Sequence, residues 1–302
     1  MFSRRGFAIF TLFTLSCGRQ HAPETERIAF VRFENLGPEV SADWAGPAFA
    51  EILKTELAGA SGIYVIGGRS ERSAALAAGA NRIGYGWYAM RGGRVETTLA
   101  IEDPATNRMR QVLSASTGDV ISAASAIAHE ISPAAAPFGT ASEAALKAWA
   151  LGQPEEAIAA DPSFGPPYRL LAGRRAQAGD RRGAIAVLGQ ALAHADRMAP
   201  ADRVRIEYEA ASLREDPGAQ KRALEALVQI APRDTGAWQA LAQSCESRRD
   251  FAGAIAVYRK LLELDESDAN AWNRLGYAAA YAGDRFGNGG DPALREVAAR
   301  RR

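Results

Sequence analysis

The chain has few of the residues that usually bind metal ions or carry out nucleophilic chemistry. Only two cysteines and three histidines occur in its 302 residues. The histidines His21, His129 and His194 lie far apart, and the sequence has neither an HExxH pattern nor a paired Cys-x-x-Cys motif. A zinc site needs several such ligands at short spacing, and a hydrolase needs a nucleophile beside a positioned base. We therefore expect no metal site and no enzymatic activity.

Glycine-rich cofactor loops are also missing. Gly67-Gly68-Arg69-Ser70 lies between a predicted strand and a predicted helix, where backbone amides can bind an anion. It has neither the GxGxxG spacing of dinucleotide-binding loops nor the lysine of a P-loop. The segment is thus predicted to be an ordinary turn, and we expect no cofactor.

The chain has no large surplus of either charge. Its formal net charge is +1, which argues against a protein that binds nucleic acid electrostatically. A hydrophobic content of 47% and a charged content of 24% are typical of a soluble globular protein. The length allows two ordinary domains.

The only apolar run near the amino terminus is too short to span a bilayer. Arg4 and Arg5 precede it, and Cys17 follows the small residue Ser16. This arrangement predicts a cleaved export signal in residues 1–17. The string Leu-Phe-Thr-Leu-Ser-Cys-Gly ending at residue 18 resembles the lipobox of bacterial lipoproteins, with Thr14 where leucine is usual. The resemblance implies acylation of Cys17 and a lipid-anchored protein on the periplasmic side of the cell envelope. An ordinary secretory signal is the alternative.

Residues 18–26 are polar and are predicted to form a tether. Beyond Cys17 the remaining cysteine is Cys245, which falls in a position typical of a buried apolar residue and is expected to be an inert thiol.

Residues 27–132 are predicted to form a small α/β domain with the order β-α-β-α-β-β-β-α. Short apolar or alternating runs bounded by turn residues indicate strands, and apolar residues at helical spacing indicate helices. Ser70 and Asp119 are candidate helix N-caps. Gly84 and Gly86 lie inside a predicted strand, which indicates close backbone packing. The predicted strands are 28–33, 63–66, 82–90, 94–102 and 109–115, and the predicted helices are 43–57, 70–78 and 119–131.

Three phrases of this region resemble the TolB amino-terminal-like domain family. They begin at Ile28 (Ile-Ala-Phe-Val-Arg-Phe-Glu-Asn-Leu), Gly79 (Gly-Ala-Asn-Arg-Ile-Gly-Tyr-Gly) and Ile101 (Ile-Glu-Asp-Pro-Ala-Thr-Asn). Arg82 and Gly84 depart from the apolar pair expected inside the third strand. The resemblance implies a periplasmic or envelope-associated α/β domain that is not an enzyme.

After a linker at 133–141, residues 142–284 show a period that is typical of helical repeats. Trp238 and Trp272 lie 34 residues apart, and Tyr168 lies 70 residues before Trp238, which is one period of 34 and one of 36. Such a period indicates an all-α solenoid, in which each unit buries its apolar face against its neighbours. The units are 165–198, 235–268 and 269 onward, with a degenerate unit at 199–234 and a compressed helix pair at 143–160.

The array resembles tetratricopeptide repeats, in which bulky, medium and small side chains occupy fixed slots along two packed helices. The first helices of such repeats line a groove that binds peptides. The resemblance therefore implies protein or peptide partners. The slot residues are Tyr168, Leu171, Ala172, Ala184, Trp238, Leu241, Ala242, Ala254, Trp272, Leu275 and Gly276; the groove candidates are Arg169, Gln239, Gln243, Glu246, Asn273 and Tyr277.

The period predicts a turn at Gly283-Asp284 and a second helix after it, which the glycine-rich segment that follows does not supply. Residues 285–302 are predicted to be an irregular basic tail. We expect Trp272, Leu275 and Tyr281 to be exposed, and the array to be either truncated or covered by a partner or a second copy of the chain.

These features together predict a non-catalytic envelope lipoprotein whose repeat groove binds peptide segments of other proteins. The alternative is a sensory or regulatory module that lost, or never had, its output domain. The identity of the partner and the oligomeric state are not encoded in any motif.

Overall fold

A computed structural model describes residues 25–67, 71–266 and 268–286, without the side chains of residues 32 and 283–286. The export signal, Cys17 and most of the tether lie outside these residues, as do Ser70 and residues 287–302.

The α/β domain contains the predicted order of strands and helices. Its elements are β1 (Glu26–Asn35), α1 (Ala45–Leu57), β2 (Ile63–Ile66), α2 (Arg72–Ala77), β3 (Arg82–Arg91), β4 (Arg94–Asp103), β5 (Arg108–Thr117) and α3 (Val120–Ile131), with a 3-10 turn at Val40–Ala42.

The strands form one mixed sheet in the order β2-β1-β3-β4-β5. β1 runs parallel to β2 and β3, whereas β3, β4 and β5 form an antiparallel meander. The crossovers β1-α1-β2 and β2-α2-β3 move along the sheet in opposite directions. Two crossovers of the same handedness that run in opposite directions place their helices on opposite faces of the sheet, so α1 and α2 cover different faces. α1 and α3 cover the main core around Phe49, Leu99 and Ile127, and α2 covers a smaller cluster around Val31 and Ile83.

Two glycines in β3 make room for phenylalanine rings of β1. A Cβ atom at Gly86 would lie 2.0 Å from Cδ1 of Phe33, and one at Gly84 would lie 2.7 Å from Cδ1 of Phe30. The predicted close packing is therefore confirmed.

Arg82, which replaces an apolar residue at the start of β3, lies 3.3 Å from Glu26 and 3.6 Å from Asp103. Two carboxylates thus compensate for the charge at this position. The N-cap position of α2 is Glu71, and the predicted cap Ser70 lies outside the described residues.

The remaining described residues form helices joined by short turns, as expected for the solenoid. Asp180, Asp216 and Asp250 each cap a second helix by accepting a hydrogen bond from the amide three residues later. The helices are α4 (Glu143–Ala150), α5 (Pro154–Ala160), α6 (Gly165–Gln177), α7 (Arg181–Leu192), α8 (Pro200–Leu213), α9 (Pro217–Ile230), α10 (Thr235–Ser247), α11 (Phe251–Leu264) and α12 (Ala269–Phe286).

The turn before each capping aspartate has the same backbone geometry in all three units. Gly179, Glu215 and Arg249 have φ values of +81°, +57° and +59°. A left-handed conformation is unfavourable for glutamate and arginine, so the packing of the two helices must enforce it. The degenerate unit at 199–234 is therefore a structural repeat despite its divergent sequence.

The end of the described array corrects two predictions. α12 runs without a turn through Gly283 and Asp284 to Phe286, so the predicted turn is absent and the first two residues of the predicted irregular tail are helical. The alanine-rich sequence before Gly283 favours continuation of the helix. Leu275 is fully buried and Trp272 is partly buried, whereas Tyr281 is 45% exposed. Of the three side chains that were expected to be exposed, only Tyr281 is.

The α/β domain lies along the turns that join one repeat to the next. In the linker, Thr140 donates a hydrogen bond to Asp161 in the turn after α5. The hydroxyl oxygens of Tyr64 in β2 and Thr235 at the start of α10 lie 3.0 Å apart. Arg27 in β1 forms an ion pair of 3.0 Å with Asp265, which follows α11. These contacts fix the sheet edge against one edge of the array. Within the described residues, no helix has the length and hydrophobicity needed to cross a membrane.

Candidate functional site

The aromatic slot residues attach each repeat to the turn before it. Nε1 of Trp238 donates to the carbonyl of Pro232 at 2.9 Å, and Nε1 of Trp272 donates to the carbonyl of Glu266 at 2.8 Å. The Tyr168 hydroxyl donates to the carbonyl of Pro162 at 3.1 Å. Each donor therefore reaches back six residues. Sequence reasoning missed this contact. Its signal is a tyrosine or tryptophan that follows, by six residues, a residue of the turn between two repeats.

The smaller slot residues lie in the core of the array. Ala172, Ala184, Ala242, Ala254, Leu241 and Leu275 are buried, while Leu171 and Gly276 are partly buried. The degenerate unit keeps only the apolar character of these positions: Val204 and Leu224 are each 2% exposed, and Tyr208 is partly buried.

Four of the six groove candidates form an exposed row on neighbouring first helices. Gln239 and Gln243 lie one turn apart on α10, and Asn273 and Tyr277 lie one turn apart on α12. Within the described residues, the amides of Gln239, Gln243 and Asn273 make no hydrogen bond to the rest of the protein. A side-chain amide both donates and accepts, so this row can pair with the backbone of an extended peptide.

The other two candidates hold neighbouring units together. Nε of Arg169 on α6 lies 2.7 Å from Oε1 of Glu209 on α8. Oε2 of Glu246 on α10 lies 3.1 Å from Nη2 of Arg274 on α12, and Oε1 of Glu246 is buried without a hydrogen-bond partner. The charges of Arg169 and Glu246 are therefore paired within the array.

Aromatic rings line the α12 end of this groove. The rings of Tyr277 and Tyr281 lie 4.6 Å apart, and Tyr281 stacks on Phe251 of α11 at 5.2 Å. The hydrogen bond from Tyr277 to Tyr281 raises the pKa of Tyr277. Burial, with Glu246 adding to it, raises the pKa of Tyr258 to about 12. Both hydroxyl groups therefore stay protonated at neutral pH.

The described residues offer no metal centre, since they contain no group of three or more histidine, cysteine, aspartate or glutamate side chains that could hold an ion. Cys245 is buried, as predicted, and its burial raises the pKa of its thiol. A neutral, inaccessible thiol is a poor nucleophile.

Comparison with known proteins identifies the repeat in the carboxy-terminal part of the array. Residues 235–278, which contain α10, α11 and the first half of α12, match the tetratricopeptide repeat family model. This identifies a tetratricopeptide repeat, of the class of helical interaction modules, in this segment. No curated protein sequence matches the chain.

Solved structures of low sequence identity resemble part of the chain. A crystal structure of MamA is 20% identical, with a TM-score of 0.38, and the match covers 48% of this chain and 76% of that one. YrrB, described as a TPR protein with an unusual peptide-binding site, is 19% identical, with a TM-score of 0.38, over 49% of this chain and 73% of that one. MamA from Desulfovibrio magneticus RS-1 is 18% identical, with a TM-score of 0.37, over 51% and 89%.

Proposed function

We propose that this protein is a non-catalytic scaffold of the bacterial cell envelope whose helical array binds an extended peptide segment of a partner protein. The exposed amide row of Gln239, Gln243 and Asn273 is the observation that carries this proposal. Polar side chains that have no partner in the protein can exchange water for a peptide backbone at little cost. The tyrosines beside the row supply flat apolar area for a side chain of the peptide.

In the same proposal, the α/β domain is a TolB amino-terminal-like domain that holds the array near the membrane, and acylated Cys17 supplies the anchor. The polar segment between Cys17 and β1 would act as the tether. Supporting this arrangement, the array contacts the α/β domain through its turns, and the amide row lies on the first helices rather than at those turns. The groove would thus remain accessible to a partner.

Photo-crosslinking in the native cell tests the groove. A photoreactive amino acid at position 243 should crosslink to a partner protein, and one at position 229, an exposed glutamine on the second helix α9, should not. A peptide that spans the crosslinked segment should bind the purified protein in calorimetry. The triple variant Gln239→Ala, Gln243→Ala, Asn273→Ala should weaken that binding by at least tenfold, because it removes all the free amides of the row.

The matched control is Gln190→Ala with Gln229→Ala, which removes exposed amides from second helices. Equal crosslinking at positions 243 and 229, or equal binding by the triple variant and the wild type, would refute the groove.

Metabolic labelling with palmitate tests the anchor separately. The wild type should incorporate label, and Cys17→Ala should not. Equal labelling of the two proteins would exclude acylation at Cys17 and leave the groove proposal intact.

A further inference from the structure

One edge of the array carries half of its basic residues, although the whole chain is nearly neutral. This basic edge consists of residues 174–182, 214–222 and 248–250, where each first helix ends and the next helix begins. It contains nine basic residues against four acidic ones. Eight of the nine are arginines, and all eight are exposed: Arg174, Arg175, Arg181, Arg182, Arg214, Arg222, Arg248 and Arg249.

Contacts between the turns show that the three segments form one continuous surface. Nη1 of Arg181 lies 2.7 Å from Oε1 of Glu215, which joins the first segment to the second. Nη1 of Arg248 donates to the carbonyl of Pro217 at 3.5 Å, which joins the third segment to the second. The basic residues therefore form a row across three consecutive repeats.

The acidic residues of the basic edge are already used within the protein. Asp180, Asp216 and Asp250 accept hydrogen bonds from helix amides as N-caps, and Glu215 pairs with Arg181. Six arginines in this row, in contrast, form no ion pair with any described residue: Arg174, Arg182, Arg214, Arg222, Arg248 and Arg249. The exposed edge thus has an uncompensated positive charge.

Helix stability does not account for all of this charge. An arginine near the end of a first helix, such as Arg174 or Arg248, interacts favourably with the helix dipole. Arg181 and Arg182 are the first two residues of α7, where the same dipole makes a positive charge unfavourable. Arg181 offsets this cost by pairing with Glu215 of the next unit. Arg182 has no ion pair with any described residue, so its position at the start of α7 points to a requirement from outside the helix.

A cleft of about 330 Å³ between α7, α8 and α9 opens beside this row. Its walls include Ala210, Ala219 and Ala223. Two arginines, Arg214 and Arg222, line it together with two carboxylates. Of these carboxylates, Glu207 pairs with Arg203 and Asp216 caps α9. An apolar wall next to two unpaired guanidinium groups suits the aliphatic stem and carboxylate of a glutamate side chain.

We propose that the basic edge is a second binding surface, distinct from the amide row, which takes an acidic, extended segment of a partner protein. Neighbouring helices pack about 10 Å apart, so the row spans roughly 20 Å, or about six extended residues. Guanidinium groups bind carboxylates in a planar, two-bond geometry, so a row of arginines suits an acidic segment. The α/β domain contacts the opposite edge of the array at Thr235 and Asp265, and the linker contacts it at Asp161, so this edge is open.

The test measures three anionic probes against matched variants of the full chain by fluorescence anisotropy. The probes are a labelled twelve-residue peptide with glutamate at every third position, vesicles of phosphatidylglycerol and phosphatidylcholine, and a short DNA duplex. The edge variant is Arg182→Gln, Arg214→Gln, Arg222→Gln. The control is Arg91→Gln, Arg94→Gln, Arg108→Gln, which removes the same charge from exposed positions of the α/β domain.

We expect the wild type and the control to bind the acidic peptide with similar affinity, and the edge variant to bind at least tenfold more weakly. Raising the salt concentration should weaken binding of the wild type steeply, because exposed charges are screened. An equal loss in the control, or no loss in the edge variant, would overturn the proposal. Binding of only the vesicles or the DNA would also overturn it and would assign the edge to a different class of partner. None of these outcomes depends on the amide row, so this surface and the groove are tested independently.

Discussion

The buried carboxyl of Glu56 should make the stability of this protein fall as the pH rises. Glu56 is fully buried in α1, where its Oε1 accepts hydrogen bonds from Oγ of Ser125 at 2.6 Å and from the amide of Phe138 at 3.1 Å. Its Oε2 is buried without a partner. Burial disfavours the charged form and raises the pKa of Glu56, against the opposing effects of these hydrogen bonds and of His129.

The sign follows from the direction of this shift. Because the pKa is higher in the folded state than in the unfolded state, the folded protein binds the proton more tightly. Between the two pKa values, the free energy of unfolding should therefore decrease with pH by up to about 1.4 kcal/mol per pH unit from this group. The destabilisation is absent below the pKa of Glu56 in the unfolded state and reaches its full size above the pKa of Glu56 in the folded state.

Glu56→Gln isolates the effect, because the amide keeps an oxygen acceptor for Ser125 and Phe138 and never ionises. At low pH the carboxyl of the wild type is neutral, so the variant should be about as stable. The amide nitrogen of the variant would occupy the position of Oε2, which has no hydrogen-bond partner. With rising pH the variant should become progressively more stable than the wild type. Glu56→Ala should instead lose two buried hydrogen bonds at every pH, at a cost of about 1–3 kcal/mol.

Urea unfolding, monitored by tryptophan fluorescence from pH 4 to pH 9, measures these differences directly. Glu51→Gln is the control, since Glu51 lies on the same helix but is partly exposed and pairs with Lys54. A stability difference between Glu56→Gln and the wild type that stays constant with pH would refute the reasoning. A difference that shrinks as the pH rises would refute it as well.

Three further perturbations test the packing. Gly86→Ala should destabilise the α/β domain by more than about 1 kcal/mol, because its Cβ would collide with Phe33, and thermal unfolding should show a lower midpoint; an unchanged midpoint contradicts the close packing. Trp238→Phe should cost about 0.5–1.5 kcal/mol through loss of the hydrogen bond to the preceding turn, and no loss in chemical denaturation would show that this bond is unimportant. A double-mutant cycle with Arg27→Ala and Asp265→Ala should give a coupling of about 1 kcal/mol between the two domains, which additive effects would exclude.

The secondary structure was largely predictable because it depends on local patterns. Alternating apolar residues marked the strands, and Asp119 capped α3 as predicted, through a hydrogen bond to the amide of Ser122. The period predicted a turn at Gly283 that the structure does not have. The glycine of a repeat turn adopts its left-handed conformation because two packed helices require it, as at Gly179, whereas the alanines before Gly283 favour a continuous helix.

The groove candidates show where sequence reasoning reaches its limit. A slot in a repeat defines which face of a helix a residue occupies, and that was enough to place Gln239 and Asn273 on the exposed row. It does not define the partners of a long charged side chain. Arg169 and Glu246 occupy groove positions but reach across to the next unit. The position of the α/β domain was equally hidden, because it depends on contacts such as Arg27 with Asp265, 238 residues apart in the chain.

The net charge was a misleading guide to the electrostatics of the array, and the repeat period explains why. Residues one period apart lie on the same edge of a solenoid, so charges that balance along the sequence can separate in space. The ends of first helices and the starts of second helices contribute arginines such as Arg182, Arg214 and Arg249 to one edge. Turns between repeats contribute carboxylates such as Asp161 and Asp265 to the other, where both bind residues of the linker or the α/β domain. A balanced total therefore coexists with an acidic edge that is engaged within the chain and a basic edge that is free to bind an acidic partner.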